Sequence, residues 1–231
     1  MTDVADAGPS GRPEGSPQPV LATVWTIVVG AGGGVRFGAR KQYEPLGEAR
    51  VLDRAVAIAA RASAEVVVVL PPADVAREGG VAGGATRSES VRAGLAAIPV
   101  DVDIVCVHDA ARPLASAQLF DAVIAAVRDG ADAAVPAMPV TDTIKVVDDG
   151  GVVVDTPDRG RLVAVQTPQA FRSDVLRRAH AAGAEGTDDA ALVELTGGLV
   201  VTVPGEVSNR KITTPEDLEW ARRWVADGGG A

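Results

Sequence analysis

A chain of 231 residues with 47% hydrophobic content can bury one sizeable core, so one domain accounts for it better than two. Its formal net charge of −9 repels polyphosphate backbones and anionic bilayer surfaces, which excludes nucleic acid and membrane as partners and confines any anion to a local pocket. The single cysteine, Cys106, rules out an intrachain disulfide and a thiolate zinc cluster, and the two histidines, His108 and His180, do not complete one.

In chain order, residues 1–19 are mostly Pro, Gly, Ser and acidic residues, too poor in bulky side chains to offset their ordering entropy. A disordered tail is expected over 1–21, a single domain over 22–226, and a second short tail over 227–231. The longest apolar stretch, 20–29, is too short to cross a bilayer and lacks a basic leader, so a soluble, cytoplasmic protein is expected. Apolar, Val-rich strands are expected at 24–29, 65–70, 103–108, 133–138, 162–166 and 199–203, and helices at 51–61, 88–97, 117–128 and 172–181. A last helix begins at "TTPEDLEWARRW", with Thr214 as its cap and Pro215 at its first position. This rhythm predicts an α/β fold, a Rossmann-like, mostly parallel sheet with helices on both faces. One region departs from it: residues 139–162 read as short strands around a turn at 148–151, an antiparallel arm.

The turn after the first strand, "VVGAGGGVRFGARKQYEPLG", packs five glycines into residues 30–38 and follows them with Arg36, Arg40 and Lys41. Ligands of doubly wound sheets bind beyond the carboxyl ends of the strands, and glycines there let backbone N–H groups approach phosphate oxygens. Neither familiar phosphate motif fits. Val35 stands where a dinucleotide fingerprint needs glycine, and Ala39 and Arg40 stand where a Walker loop needs Lys and Ser/Thr. Taken alone, the stretch is equally a flexible surface turn with solvated cations.

Only three of the 22 basic residues are lysines, Lys41, Lys145 and Lys211, and each lies in a distinctive segment: "RKQY", "TDTIK" and "NRKITTPEDL". With "GGATRSESV", "VHDAARP", "TPDRG" and "QTPQAF", in this order, these segments resemble the 2-C-methyl-D-erythritol 4-phosphate cytidylyltransferases over about residues 22–226. The resemblance implies a nucleotidyltransferase-type fold with an arm for dimerisation. It also implies transfer of CMP from CTP to a phosphorylated polyol, pyrophosphate release, and a divalent cation, usually magnesium.

Residue by residue, the resemblance puts Gly30, Ala31, Gly32 and Gly34 on the loop around the nucleotide, with Arg36 and Lys41 as its catalytic cations. It puts Gly84, Arg87 and Ser90 on the cytosine and ribose side with Ala110 near them, and makes Asp109 the carboxylate at the metal and substrate. Thr143, Arg159 and Lys211 match groups that hold the polyol phosphate, the first two on an arm that crosses to the partner subunit. The chain departs from the family pattern at Val29, Gly30, Arg40 and Ala85.

The chemistry suits a histidine-poor chain. A phosphate monoester is largely dianionic at neutral pH, so the nucleophile needs no base, and the remaining demand is charge stabilisation at the α-phosphate. His108 is then a packed residue and Cys106 a core thiol. Structural alternatives stand beside several residues: Arg87 and Ser90 as the first turn of a helix capped by Ser88, and Thr187, Asp188 and Asp189 as a capped helix start rather than a metal site. Two other functions share this sequence pattern, a ribitol-5-phosphate cytidylyltransferase and a non-catalytic nucleotide-binding protein. "DTIK" with Lys145 favours the erythritol substrate over ribitol.

Overall fold

The computed structural model describes residues 22–32, 37–38, 40–181 and 183–229; the expected tail at 1–21, Gly34 and Arg36 lie outside them. The first half of the chain contributes β1 (Val24–Val29), a 3-10 turn at Lys41–Tyr43, the two-residue strands β2 (Pro45–Leu46) and β3 (Ala49–Arg50), and α1 (Val51–Ala62). It continues through β4 (Glu65–Leu70), α2 (Pro72–Glu78), β5 (Val81–Ala82), α3 (Arg87–Ala96), β6 (Ile104–Asp109) and α4 (Ala117–Arg128). The second half holds β7 (Ala133–Pro139), β8 (Val146–Val147), β9 (Val153–Asp155), a 3-10 turn at Arg159–Arg161, β10 (Val163–Val165) and β11 (Gln169–Arg172). It ends with α5 (Ser173–Ala181), α6 (Asp189–Leu195), β12 (Val200–Pro204) and α7 (Pro215–Ala226).

Eight strands form one sheet in the order β10-β7-β11-β6-β1-β4-β5, with β12 also on β7. The β6-β1-β4-β5 half is parallel, β12 runs parallel to β7, and β11 is wedged antiparallel between β6 and β7. Its strands are rich in Val and Ile because both faces are covered. On one face Ile27, Val69, Val105 and Val107 pack with Val91 and Leu95 of α3 and Leu176 of α5; on the other, Val28, Ile104 and Cys106 meet Leu52 of α1 and Phe120 of α4. Glycine decides how closely α3 can lie on the sheet: a Cβ at Gly94 would come within 2.7 Å of the Ile27 side chain.

The period of two along β6 settles the direction of its last residues. Val105 and Val107 face α3, and so does Asp109; Ile104 and Cys106 face α1 and α4, and so does His108, whose ring lies 5.2 Å from that of Phe120. Asp109 pairs with Val29 at the carboxyl end of the parallel half.

Four details correct the sequence reading. α3 is capped by Thr86, not Ser88: the Thr86 hydroxyl accepts from Glu89 N–H while Glu89 Oε2 accepts from Thr86 N–H, a reciprocal pair, and Ser88 is buried within the first turn. The strand expected at 162–166 is the shorter β10, and the segment Gln169–Arg172 beyond it forms β11. Short α2 and the β2–β3 hairpin were not expected. Asp227, Gly228 and Gly229 cap α7 by donating to carbonyls of its last turn, Gly228 at φ +83°, so order extends past residue 226. Thr214 and Pro215 start α7 as expected.

The arm folds as an antiparallel pair, β8 on β9, turned at 148–151. Val146, Val147, Val152, Val153 and Val154 are all exposed on it. Arg159 Nη1 donates to Thr141 O at 2.7 Å and Lys145 Nζ to Thr156 Oγ1 at 2.8 Å, so these two cations are fastened to the arm's own backbone and hydroxyl groups.

Candidate active site

A cavity of about 370 Å³ opens beyond the carboxyl ends of β1 and β6. Gly30, Ala31, Gly32 and Lys41 form one wall, Gly84, Arg87 and Ser90 another, and Asp109, Ala110 and Lys211 close it, so most of the expected nucleotide-side residues meet in one place. Thr143 and Arg159 do not line it; they lie with the arm.

The glycine walls owe their shape first to the protein's own packing. A Cβ on Gly83 would sit 2.5 Å from Ala31 Cβ, and one on Gly84 would sit 2.3 Å from Glu89 Cβ. Their lack of side chains brings the first loop against the start of α3. Glu89 Oε2 also takes the N–H of Ala85 at 2.5 Å. Arg40, one of the departures from the family pattern, pairs with buried Asp74 on α2, which also accepts from the Tyr43 hydroxyl at 2.9 Å. The loop exit is thereby tied to α2, with Lys41 directly after the tie.

Asp109 is the electrostatic centre. Lys211 Nζ donates to its Oδ2 at 2.7 Å and Arg87 Nε to its Oδ1 at 3.4 Å. Burial alone would raise its pKa, but Arg87, Lys211 and Arg112 outweigh that and hold the carboxyl well below the usual carboxylate range. The same carboxylate, with Asp189, keeps the Arg87 guanidinium above its ordinary value against the pull of burial. Arg112 is lowered, burial outweighing Asp109.

A buried polar chain holds the backbone of this carboxylate. Asp109 N–H donates to Thr167 Oγ1 at 3.0 Å, Thr167 Oγ1 lies 3.1 Å from His108 Nδ1, and His108 Nε2 lies 3.1 Å from Arg112 O. Only one tautomer satisfies every group: Nε2 carries the proton and donates to the carbonyl, and Nδ1 accepts from the Thr167 hydroxyl. Burial pushes the His108 pKa down to about 4, so the neutral ring is the stable form. His108 is thus a packed, bracing residue, as expected. Cys106 is a core thiol, pushed up to about 12 by burial, the Thr26 hydroxyl offsetting only part of that.

Several contributors were invisible in the sequence. Gln42 lines the cavity with its side chain buried and its Nε2 unpartnered, and Arg87 Nη2 is likewise buried without a partner. Both are donors left for something outside the fold. Asp189, expected only as part of a helix start, is fully buried and takes Arg87 Nη1 at 2.7 Å, while Asp188 is the cap of α6. Thr167 and Arg112 brace Asp109 from "QTPQAF" and "VHDAARP", segments that carry the family resemblance but assign these two residues no role.

Among the described residues no cluster of three or more His, Cys, Asp or Glu could hold a metal ion, and no helix is long and apolar enough to cross a membrane. The site offers a cation one carboxylate, Asp109, beside a cavity sized for an anionic ligand. That suits magnesium, which is commonly held by one or two carboxylates together with substrate phosphates.

Residues 24–227 match the family model described as 2-C-methyl-D-erythritol 4-phosphate cytidylyltransferase. A protein of that name from Nocardia farcinica is 46% identical over 215 residues, covering 86% of this chain and 92% of its own. One from Streptomyces avermitilis is 44% identical over 236 residues, covering 91% and 94%. The crystal structure of the Thermus thermophilus protein of the same name superposes with a TM-score of 0.76 at 36% identity, covering 89% of this chain and 100% of that one. A match over nearly the whole folded length, with the glycine loop, Asp109 and Lys211 gathered at one cavity, leaves one conclusion: the chain belongs to the 2-C-methyl-D-erythritol 4-phosphate cytidylyltransferase family.

Proposed function

We propose that this chain transfers the cytidylyl group of CTP to 2-C-methyl-D-erythritol 4-phosphate, forming the CDP-alcohol and pyrophosphate for isoprenoid precursor synthesis. The observation that carries the reading is the Lys211–Asp109–Arg87 cluster facing a glycine-walled cavity in a chain of this family.

A phosphate oxygen of the polyol attacks the α-phosphorus of CTP. The new O–P bond forms as the bond to the β-phosphate bridging oxygen breaks, and pyrophosphate leaves with that electron pair. The attacking oxygen is already anionic, so no residue has to remove a proton. Gly30 lets the triphosphate come close because it has no side chain, its own N–H being held by Val69 O at 2.8 Å, and Ala31, Gly32 and Gly34 cradle it by their backbone N–H groups, while Arg36 and Lys41 offset charge developing at the α-phosphate. Gly84, Arg87, Ser90 and Ala110 face the base and ribose. Lys211 holds the polyol phosphate, and Asp109, kept ionised by its cations, is the carboxylate that would hold a magnesium ion. When bound, that ion supplies Lewis-acid stabilisation of the phosphates.

Thr143 and Arg159 serve the neighbour's cavity across a two-fold dimer, a role supported by their place outside the lining of their own cavity and by the exposed valines of the arm. The protein works in the cytoplasm.

The test is pyrophosphate release with CTP and magnesium, using methylerythritol phosphate and ribitol 5-phosphate in parallel. Turnover with the first substrate is expected. Preference for ribitol 5-phosphate, or CTP binding without pyrophosphate release from either, would overturn the proposal.

A further inference from the structure

The polar contacts behind the cavity run deeper than the groups that meet a ligand. Arg87, the first residue of α3, spreads its planar guanidinium across two carboxylates: Nη1 donates to Asp189 Oδ2 at 2.7 Å, and Nε to Asp109 Oδ1 at 3.4 Å. The two contacts are unequal. Asp189 is fully buried at the start of α6 and is itself fixed, because its second oxygen, Oδ1, lies 3.0 Å from His180 Nε2. The Asp109 contact is at the long limit for a hydrogen bond, and Asp109 belongs to a strand end that opens on the cavity. Asp189 therefore sets where the guanidinium sits. The third donor, Nη2, is buried without a partner on a side chain that lines the cavity.

We infer that Asp189 is a positioning residue for the nucleotide site: from outside the cavity it locks the Arg87 guanidinium in one orientation, which fixes both the unpartnered Nη2 and the side of Asp109 that remains for ligand. Arginine has long, rotamer-rich reach and a fork geometry that is useful only when one end is clamped, and Asp189 is the clamp. The inference rests on the cytidylyltransferase reading.

The test uses the full chain in steady-state kinetics with CTP and methylerythritol phosphate varied separately, after wild-type turnover is established; absence of wild-type turnover would count against the proposed reaction, not this inference. Asp189→Asn keeps the shape of the side chain and an acceptor for His180 but removes the charge that clamps Arg87. It is expected to raise KM for CTP about tenfold, with KM for the polyol phosphate changed less than about threefold, since a loosened Arg87 lies on the nucleotide wall. In an Arg87→Met background the same substitution should add no more than about twofold, because there is no guanidinium left to position. A merely structural Asp189 would lower the active fraction, so kcat would fall with KM unchanged, and that result would overturn the inference. An Asp189 effect of equal size with and without Arg87 would also overturn it. Asp189→Ser is the second variant if Asn is not tolerated; failure of both to fold, with Arg87→Met folding normally, would make Asp189 structural and refute its positioning role.

Discussion

His108 makes acid stability a measurable consequence of the polar chain behind Asp109. Its ring has no exposed surface, and both nitrogens are satisfied only in the neutral form. A proton on Nδ1 would face the Thr167 oxygen that already takes Asp109 N–H, leaving the Thr167 hydroxyl to find another acceptor. Folded, the pKa is about 4; in an unfolded chain histidine titrates near 6.5. Between these values the unfolded chain binds more protons, so this contribution is complete above about pH 6.5 and is lost as pH falls toward 4. The two pKa values give a loss of about 2 kcal/mol between pH 7 and pH 5, roughly 1.4 kcal/mol per unit at the steepest. The assay is urea unfolding at pH 7, 6 and 5 of wild type and His108→Gln, whose amide offers a donor and an acceptor but does not titrate. The difference between the proteins should narrow by about 2 kcal/mol over that range. Parallel stability profiles would refute the assignment of a buried neutral imidazole.

Lys41→Ala should lower kcat by roughly 10²-fold or more while CTP binding weakens far less, as measured by turnover beside calorimetry; loss of affinity alone would move Lys41 to ground-state binding. Mixing inactive Lys41→Ala and Arg159→Ala proteins should restore about a quarter of wild-type turnover once subunits have exchanged, since half the dimers are mixed and each carries one intact site. No recovery after verified exchange would rule out a site shared through the arm. Asp217→Ala removes the carboxylate that accepts from the N–H groups of Thr213 and Thr214. It should cost about 1 kcal/mol by thermal unfolding, and an unchanged Tm would show that this cap of α7 is redundant.

The parts legible in the sequence were those written in a period. The Val-rich strands, the helices at Val51–Ala62 and Ala117–Arg128, and the Thr214–Pro215 start follow from local pattern and capping chemistry. Asp109 at a strand end was legible because it terminates an apolar run, and its direction follows from counting in twos along β6. What escaped was set by distant partners. β11, "QAFR", is too short and too mixed to announce a strand, and it becomes one because β6 and β7 leave a slot for it. Asp189 looks like any acidic residue in a first turn until Arg87 is brought to it from elsewhere in the chain. The glycines at 83 and 84 signalled closeness without saying to what, and the neighbours were Ala31 and Glu89.

The wedged strand β11 also bears on how the molecule is assembled. β6 and β7 follow one another in the chain and point the same way, yet neither can pair with the other; each waits with an open edge for residues 169–172. A growing polypeptide released before that point would carry two unpaired apolar strand margins, the kind of edge that recruits strands from other chains. When the late strand enters, it brings Thr167 to the Asp109 amide, and only further along does Lys211 arrive at the carboxylate. Ring closure over such separations is entropically costly and slow. Closing the slot fixes the backbone of Asp109, and Lys211 then completes the charge cluster from further along, so both the sheet and the site depend on the late part of the chain.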